Sequence, residues 1–194
     1  MANKDAAFGM KPVRMIGGAP YSGGTSRYRI AANYGTSIFQ GDMVAQVTGG
    51  TVEVHADGGT VPIVGVFNGC QFTDPTTGEQ VFQNFYPAST NASDIIAFIV
   101  DDPNVVYEVQ ADDTFPVADL FGNFDIVYTS SGSTQTGISG AELDVTTGAT
   151  NTNLPIKAID ISQDPNNDDV ASANTNVLVV IQNSIFGVKG AGLA

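Results

Sequence analysis

The chain has 194 residues, a net charge of −13 at pH 7 and a hydrophobic fraction of 42%. This length and hydrophobicity allow a buried core in one domain or two small ones, and they exclude a disordered chain. The acidic excess argues against nucleic-acid binding, which depends on neutralised phosphates, and no apolar run approaches the ~20 residues of a membrane span. A single cysteine, Cys70, and a single histidine, His55, exclude an intrachain disulfide and a multi-histidine metal site.

Residues 1–34 are predicted to form an extended basic arm, within which residues 1–29 hold most of the positive charge. Five basic residues and one acid give these 29 residues 5 − 1 = +4, whereas the remainder carries 2 − 19 = −17. Glycine and proline break the segment, so we expect no core within it and a folded body after its deletion. No apolar h-region of a signal peptide is visible at residues 1–9.

Three interpretations of this arm are open: a disordered tail, a segment folded back onto its own acidic body, or an element that orders against an acidic neighbouring protein. The third interpretation is favoured, with aromatic side chains as anchors and cations as charge partners. It predicts as partner-binding residues Phe8, Lys11, Arg14, Tyr21, Arg27, Tyr28 and Arg29.

Strand patterns dominate the chain after the arm. Runs rich in Val, Ile and aromatic residues alternate with clusters of Gly, Asn, Asp, Ser and Thr, as strands and turns require. The predicted strands are 42–47, 51–55, 61–67, 95–100, 105–109, 124–128, 155–159 and 177–181. The fold class is therefore all-β, with an extended N-terminal arm followed by a β-barrel or sandwich body.

The same order of elements occurs twice along the body. Residues 38–44 resemble 120–127, residues 61–63 resemble 154–156, and residues 95–100 resemble 177–182. This pattern predicts two similar small β units, 36–110 and 118–187, followed by a flexible C-terminal tail at 188–194 that could contact a neighbouring copy. The alternative is that β-proteins generally show such strands after such turns.

Motifs for catalysis or ligand binding are weak. Asp164, Asn166 and Asp168 have the spacing of Ca²⁺ ligands, but the Gly and Glu that an EF-hand loop requires are absent, so we expect a turn without a tightly held metal. The chain has no Trp for a sugar platform, no nucleophile elbow and no phosphate loop. We therefore expect no enzyme activity, no cofactor and no small-molecule substrate.

The opening of the chain carries the most specific pattern, and further motifs extend it to about residue 183. Together they resemble a family of accessory head proteins of tailed bacteriophages. The segments that carry the resemblance are 7–14, 18–21, 41–44, 65–67, 86–88, 97–103, 107–110, 130–137 and 140–144.

This resemblance implies a decoration, or cement, protein on the outer surface of the phage capsid, made in the host bacterial cytoplasm. The implied partners are the major capsid protein and other copies of the chain, in a dimer or trimer, with no nucleic acid and no membrane. Two alternatives are a carbohydrate-binding or hydrolytic module on the virion surface, and a minor capsid or tail component.

Overall fold

The computed structural model describes residues 3–187, and these residues are almost entirely β-structure and turns. Their helical content is one 3₁₀ turn, Val117–Asp119. The strands, in chain order, are β1 (Lys11–Met15), β2 (Ser26–Arg29), β3 (Ile38–Phe39), β4 (Met43–Val47), β5 (Thr51–Val54), β6 (Ile63–Thr73), β7 (Gln80–Gln83), β8 (Phe85–Tyr86), β9 (Ile96–Val100), β10 (Val105–Gln110), β11 (Asn123–Tyr128), β12 (Ala141–Ala149), β13 (Ile156–Ile161) and β14 (Asn176–Ile181). The all-β prediction is confirmed.

Most strands belong to two antiparallel sheets that are built in the same order. The first sheet runs β2-β9-β6-β4-β5, and β7 also pairs with β6. The second sheet runs β1-β10-β14-β13-β11-β12. We leave β3, β7 and β8 out of the count in the first unit and the edge strand β1 out of the second, and take β2 and β10 as the first strand of each unit. Both sheets then have the order first, fifth, fourth, second, third. This shared order supports the two similar units inferred from the sequence.

The strands that begin the two units differ from those expected. The sequence analysis assigned β10 to the first unit, but β10 pairs with β14 and belongs to the second sheet. The first sheet instead receives its corresponding strand, β2, from the arm. The first unit therefore spans strands β2 to β9, and the second spans β10 to β14.

The second sheet curls until its edge strand β12 meets the end of β10. Ala111, which follows β10, forms a parallel bridge with Leu143 of β12, and the N–H of Asp112 donates to the Leu143 carbonyl at 3.0 Å. In the first sheet, the outer strands β2 and β5 also contact one another. Each unit is thus a strongly curled sheet around its own apolar interior.

The two units share part of one core. Val44, Phe67 and Ile99 of the first sheet fill that unit's interior. Met43 and Val66, on the opposite face of the same sheet, pack into the core of the second unit. This arrangement explains why residues 43–45 of β4 and 63–67 of β6 read as unbroken apolar runs, since both faces of these segments are buried.

The arm is part of both sheets, so the expectation that the strands begin only after it is wrong. β1 pairs with β10 and β2 pairs with β9. Met10, immediately before β1, is 1% exposed in the shared core. The structure therefore shows a segment folded back onto its own body. The predicted tail, 188–194, lies outside the described residues.

Candidate interaction surface

The fold separates the seven predicted partner-binding residues into two groups. The two edge strands β1 and β2 carry five of them, and the remaining two lie in the adjoining segments. They are Lys11 and Arg14 on β1, Arg27, Tyr28 and Arg29 on β2, Phe8 before β1, and Tyr21 between the strands. Because β1 and β2 belong to different sheets, the seven do not form one patch.

Lys11 is already paired within the chain. Its Nζ lies 3.3 Å from Oε2 of Glu108, whose side chain is 9% exposed. The other carboxylate oxygen, Oε1, accepts hydrogen bonds from the Ser162 hydroxyl at 2.5 Å and from Asn176 Nδ2 at 3.3 Å. Lys11, whose side chain is 63% exposed, therefore pairs with a buried carboxylate of its own sheet across the β1–β10 ladder.

The arm's aromatic side chains also have intramolecular contacts. The Tyr28 hydroxyl donates to Asp101 Oδ2 at 2.7 Å, and burial together with this carboxylate raises the pKa of Tyr28 to about 12. The Tyr21 hydroxyl donates to the Gly24 carbonyl at 2.9 Å, and its ring packs against the shared core. Phe8 lines an apolar cavity of about 210 Å³ beside Met10. A role for these rings as partner anchors stays a prediction.

Arg27 and Arg29 are the exposed cations of β2. The strand alternates half-buried and exposed positions, so both guanidinium groups leave the same face while Tyr28 packs inward. Arg27 Cζ lies 5.8 Å from the centroid of the Phe98 ring, a cation–π distance. No carboxylate among residues 3–187 forms an ion pair with Arg27 or Arg29.

A buried carboxylate joins the two units beneath the arm. Asp42 Oδ2 accepts from the Phe39 N–H at 2.7 Å, and Oδ1 accepts from the Ser139 hydroxyl at 2.5 Å. Burial raises the pKa of Asp42 to about 6, although both hydrogen bonds act in the opposite direction. This carboxylate caps the turn before β4 and connects it to the loop before β12.

The raised pKa of Asp42 predicts that the protein loses stability as the pH rises. Because the folded state holds this proton more tightly than the unfolded chain, the stabilisation is complete below pH ~4 and is lost as the pH passes 6. A shift of this size corresponds to at most about 3 kcal/mol. Burial also raises the pKa values of Asp112, Asp125 and Glu142, in the same direction.

Urea unfolding from pH 4.5 to 8 measures this effect. We expect the free energy of unfolding to fall across the range, and Asp42→Asn to reduce its slope because the amide does not titrate. An Asp42→Asn slope equal to that of the wild type would refute the assignment.

The acidic loop near the C-terminal end forms an Asx turn. Asp164 Oδ1 accepts from the backbone N–H of Asn166 at 3.0 Å. Asn167, 5% exposed, donates its amide to the carbonyls of Lys4 and Asn174. Asn3 also donates to the Asp169 carbonyl at 2.9 Å. This loop therefore holds the beginning of the arm, a role that no sequence motif indicated.

The described residues contain neither a candidate metal cluster nor a membrane-spanning helix. Between residues 3 and 187 there is no group of three or more His, Cys, Asp or Glu side chains arranged to hold a metal ion. Over the same part of the chain, no helix has the length and apolar character needed to cross a membrane.

Comparison with known proteins also gave no relative. The chain matches no family model, no curated protein and no solved structure.

Proposed function

We propose that the protein is a structural virion component that binds the outer surface of an assembled phage capsid and stabilises it. The observation that carries the proposal is the pair of exposed arginines, Arg27 and Arg29, on an edge strand of a strongly acidic β body. The resemblance of the sequence motifs to accessory head proteins supports the same role.

An attachment protein of this kind needs a rigid body and an adhesive surface rather than a catalytic pocket. A protein that binds the assembled shell and not its separated subunits stabilises the shell by mass action. Guanidinium groups suit this contact, because they bind carboxylates in a bidentate geometry and remain charged at every relevant pH. The proposed partners are the major capsid protein and neighbouring copies of the chain, as a dimer or trimer on the shell.

Charge reversal on β2 is the direct test. Arg29→Glu should weaken binding to purified capsids that lack the protein, most strongly at low salt, where charges are least screened. Co-sedimentation of capsids with increasing protein concentration measures the affinity. Lys4→Glu is the matched control, since Lys4 is exposed, lies outside β2, and its reversal changes the net charge equally.

The outcomes separate three cases. A loss of capsid affinity in Arg29→Glu but not in Lys4→Glu supports attachment through β2. Equal losses with both variants indicate an effect of net charge alone. If the wild-type protein neither binds capsids nor raises the temperature at which they release their genome, the proposed function is wrong.

A further inference from the structure

The ladder registers of the first sheet define an outer face that extends well beyond β2. Arg29 pairs with Ile96 of β9, Ile96 pairs with Gln71 of β6, and Gln71 pairs with Phe82 of β7. Residues paired across a ladder lie on the same face, so these four form one row across four strands.

The row next to it confirms which side faces out. Tyr28, Ala97 and Cys70 occupy the neighbouring row, with Ala97 and Cys70 almost fully buried in the core of the first unit. Because successive residues alternate between faces, the row from Arg29 to Phe82 points away from that core.

The outer face combines cations with exposed apolar surface. Phe82 is 64% exposed, more than any other large hydrophobic side chain among residues 3–187. Phe98 is half-buried and pairs with Gly69, which has no side chain to extend over it. The face thus carries two arginines at one edge, Ile96 and Phe98 in the middle, and Phe82 at the other edge.

We propose that this outer face, defined by Arg27, Arg29, Gln71, Phe82, Ile96 and Phe98, is a docking surface for an acidic protein segment that also carries aromatic or aliphatic side chains. Carboxylates of the partner would pair with Arg27 and Arg29, while its apolar side chains would cover Phe98 and Phe82. This docking surface is the site through which the protein would attach to the capsid. That the partner is a capsid protein rests on the proposed function.

Charge complementarity selects a protein partner over a nucleic acid. The cations at this face have no carboxylate partner within residues 3–187, although the whole chain carries twenty acids. Nucleic-acid affinity depends on neutralising many phosphates, and a chain of net charge −13 with two exposed arginines on this face would be repelled by them. A protein segment with a few carboxylates fits the two guanidinium groups and carries far less negative charge than a nucleic acid, so the repulsion is smaller.

The first test uses a random glutamate–tyrosine copolymer as the probe, with NMR chemical shifts as the readout. We expect the shifts to concentrate on the outer face. Phe82→Ser and Arg29→Glu should each weaken copolymer binding about tenfold. Phe186→Ser is the matched control, because Phe186 is 53% exposed but lies outside this sheet, and it should bind as the wild type does.

Three results would overturn the inference: no binding, shifts centred elsewhere, or equal effects of Phe82→Ser and Phe186→Ser. Preferential binding of a DNA 20-mer to the same face would also overturn the assignment to a protein partner.

Capsid binding then distinguishes this inference from the proposed function. If the copolymer maps to the face but the wild-type protein does not bind capsids, the surface stands and the capsid role fails. If Phe82→Ser binds capsids as tightly as the wild type and the Phe186→Ser control, the capsid role stands and the surface assignment fails.

Discussion

Deletion of residues 1–29 is expected to abolish the cooperative fold. The truncation removes β1 from the edge of the second sheet, β2 from the edge of the first, and Met10 from the shared core. Loss of a fully buried methionine alone costs about 2–5 kcal/mol, a large fraction of the ~5–15 kcal/mol that stabilises a typical domain. The truncated protein should lack a cooperative thermal transition by circular dichroism and should bind a hydrophobic dye.

A variant that removes charge but keeps the strands is the control for this deletion. This variant replaces four basic residues by Ser together, namely Lys4, Arg14, Arg27 and Arg29. Lys11 is retained because it pairs with Glu108. We expect this variant to unfold cooperatively within a few degrees of the wild type. A truncated protein that unfolds as cooperatively as this control would show that the arm is dispensable for folding.

Gly9→Ala is expected to destabilise the protein by about 2–4 kcal/mol. Gly9 has φ +70°, and a Cβ there would lie 2.6 Å from Ser139 Cβ and 2.8 Å from the Gly41 carbonyl oxygen. The substitution therefore adds a steric clash to the strain of a left-handed backbone. The clash occurs where the arm crosses the Asp42–Ser139 contact, so it should disturb both units.

Gly18→Ala is the matched control. Gly18 has φ +88°, and a Cβ there would meet no atom within 4 Å. In this variant the free energy of unfolding should fall only by the strain of a left-handed backbone, about 1 kcal/mol. Urea denaturation measures both variants, and equal losses would contradict the close packing of Gly9 against Ser139.

Local patterns in the sequence were sufficient to predict much of the body. The apolar runs around β4, β9 and β14 are dense enough to mark strands, and the paired motifs indicated two units whose strand orders are the same. Local patterns did not predict the strands of the arm, because β1 and β2 are short, lie close to glycines, and are stabilised by partners far along the chain. Their strand character arises from pairing rather than from local propensity.

The candidate surface was predicted only at its charged edge. Arg27 and Arg29 stand out as cations in an acidic chain, so composition alone identified them. Phe98 belongs to the predicted strand 95–100 and Phe82 to no predicted strand, and only the ladder registers place them on the same face as the arginines. Tyr28 was predicted as an anchor because it is an aromatic residue in a basic segment; its ring packs inward, and its role as an anchor stays a prediction.

The pairing of β1 with β10 also determines when the native structure can be completed. Lys11 and Glu108 are 97 residues apart, and Asn3 contacts a loop 166 residues away. At about 5–20 residues per second on the ribosome, the arm emerges roughly 5–20 seconds before β10 has been made. Such distant contacts form slowly because a long loop must be closed first, so docking of the arm is a late folding step. Until β10 has been made, β1 has no partner strand, and nascent chains are most vulnerable to edge-to-edge association in that interval.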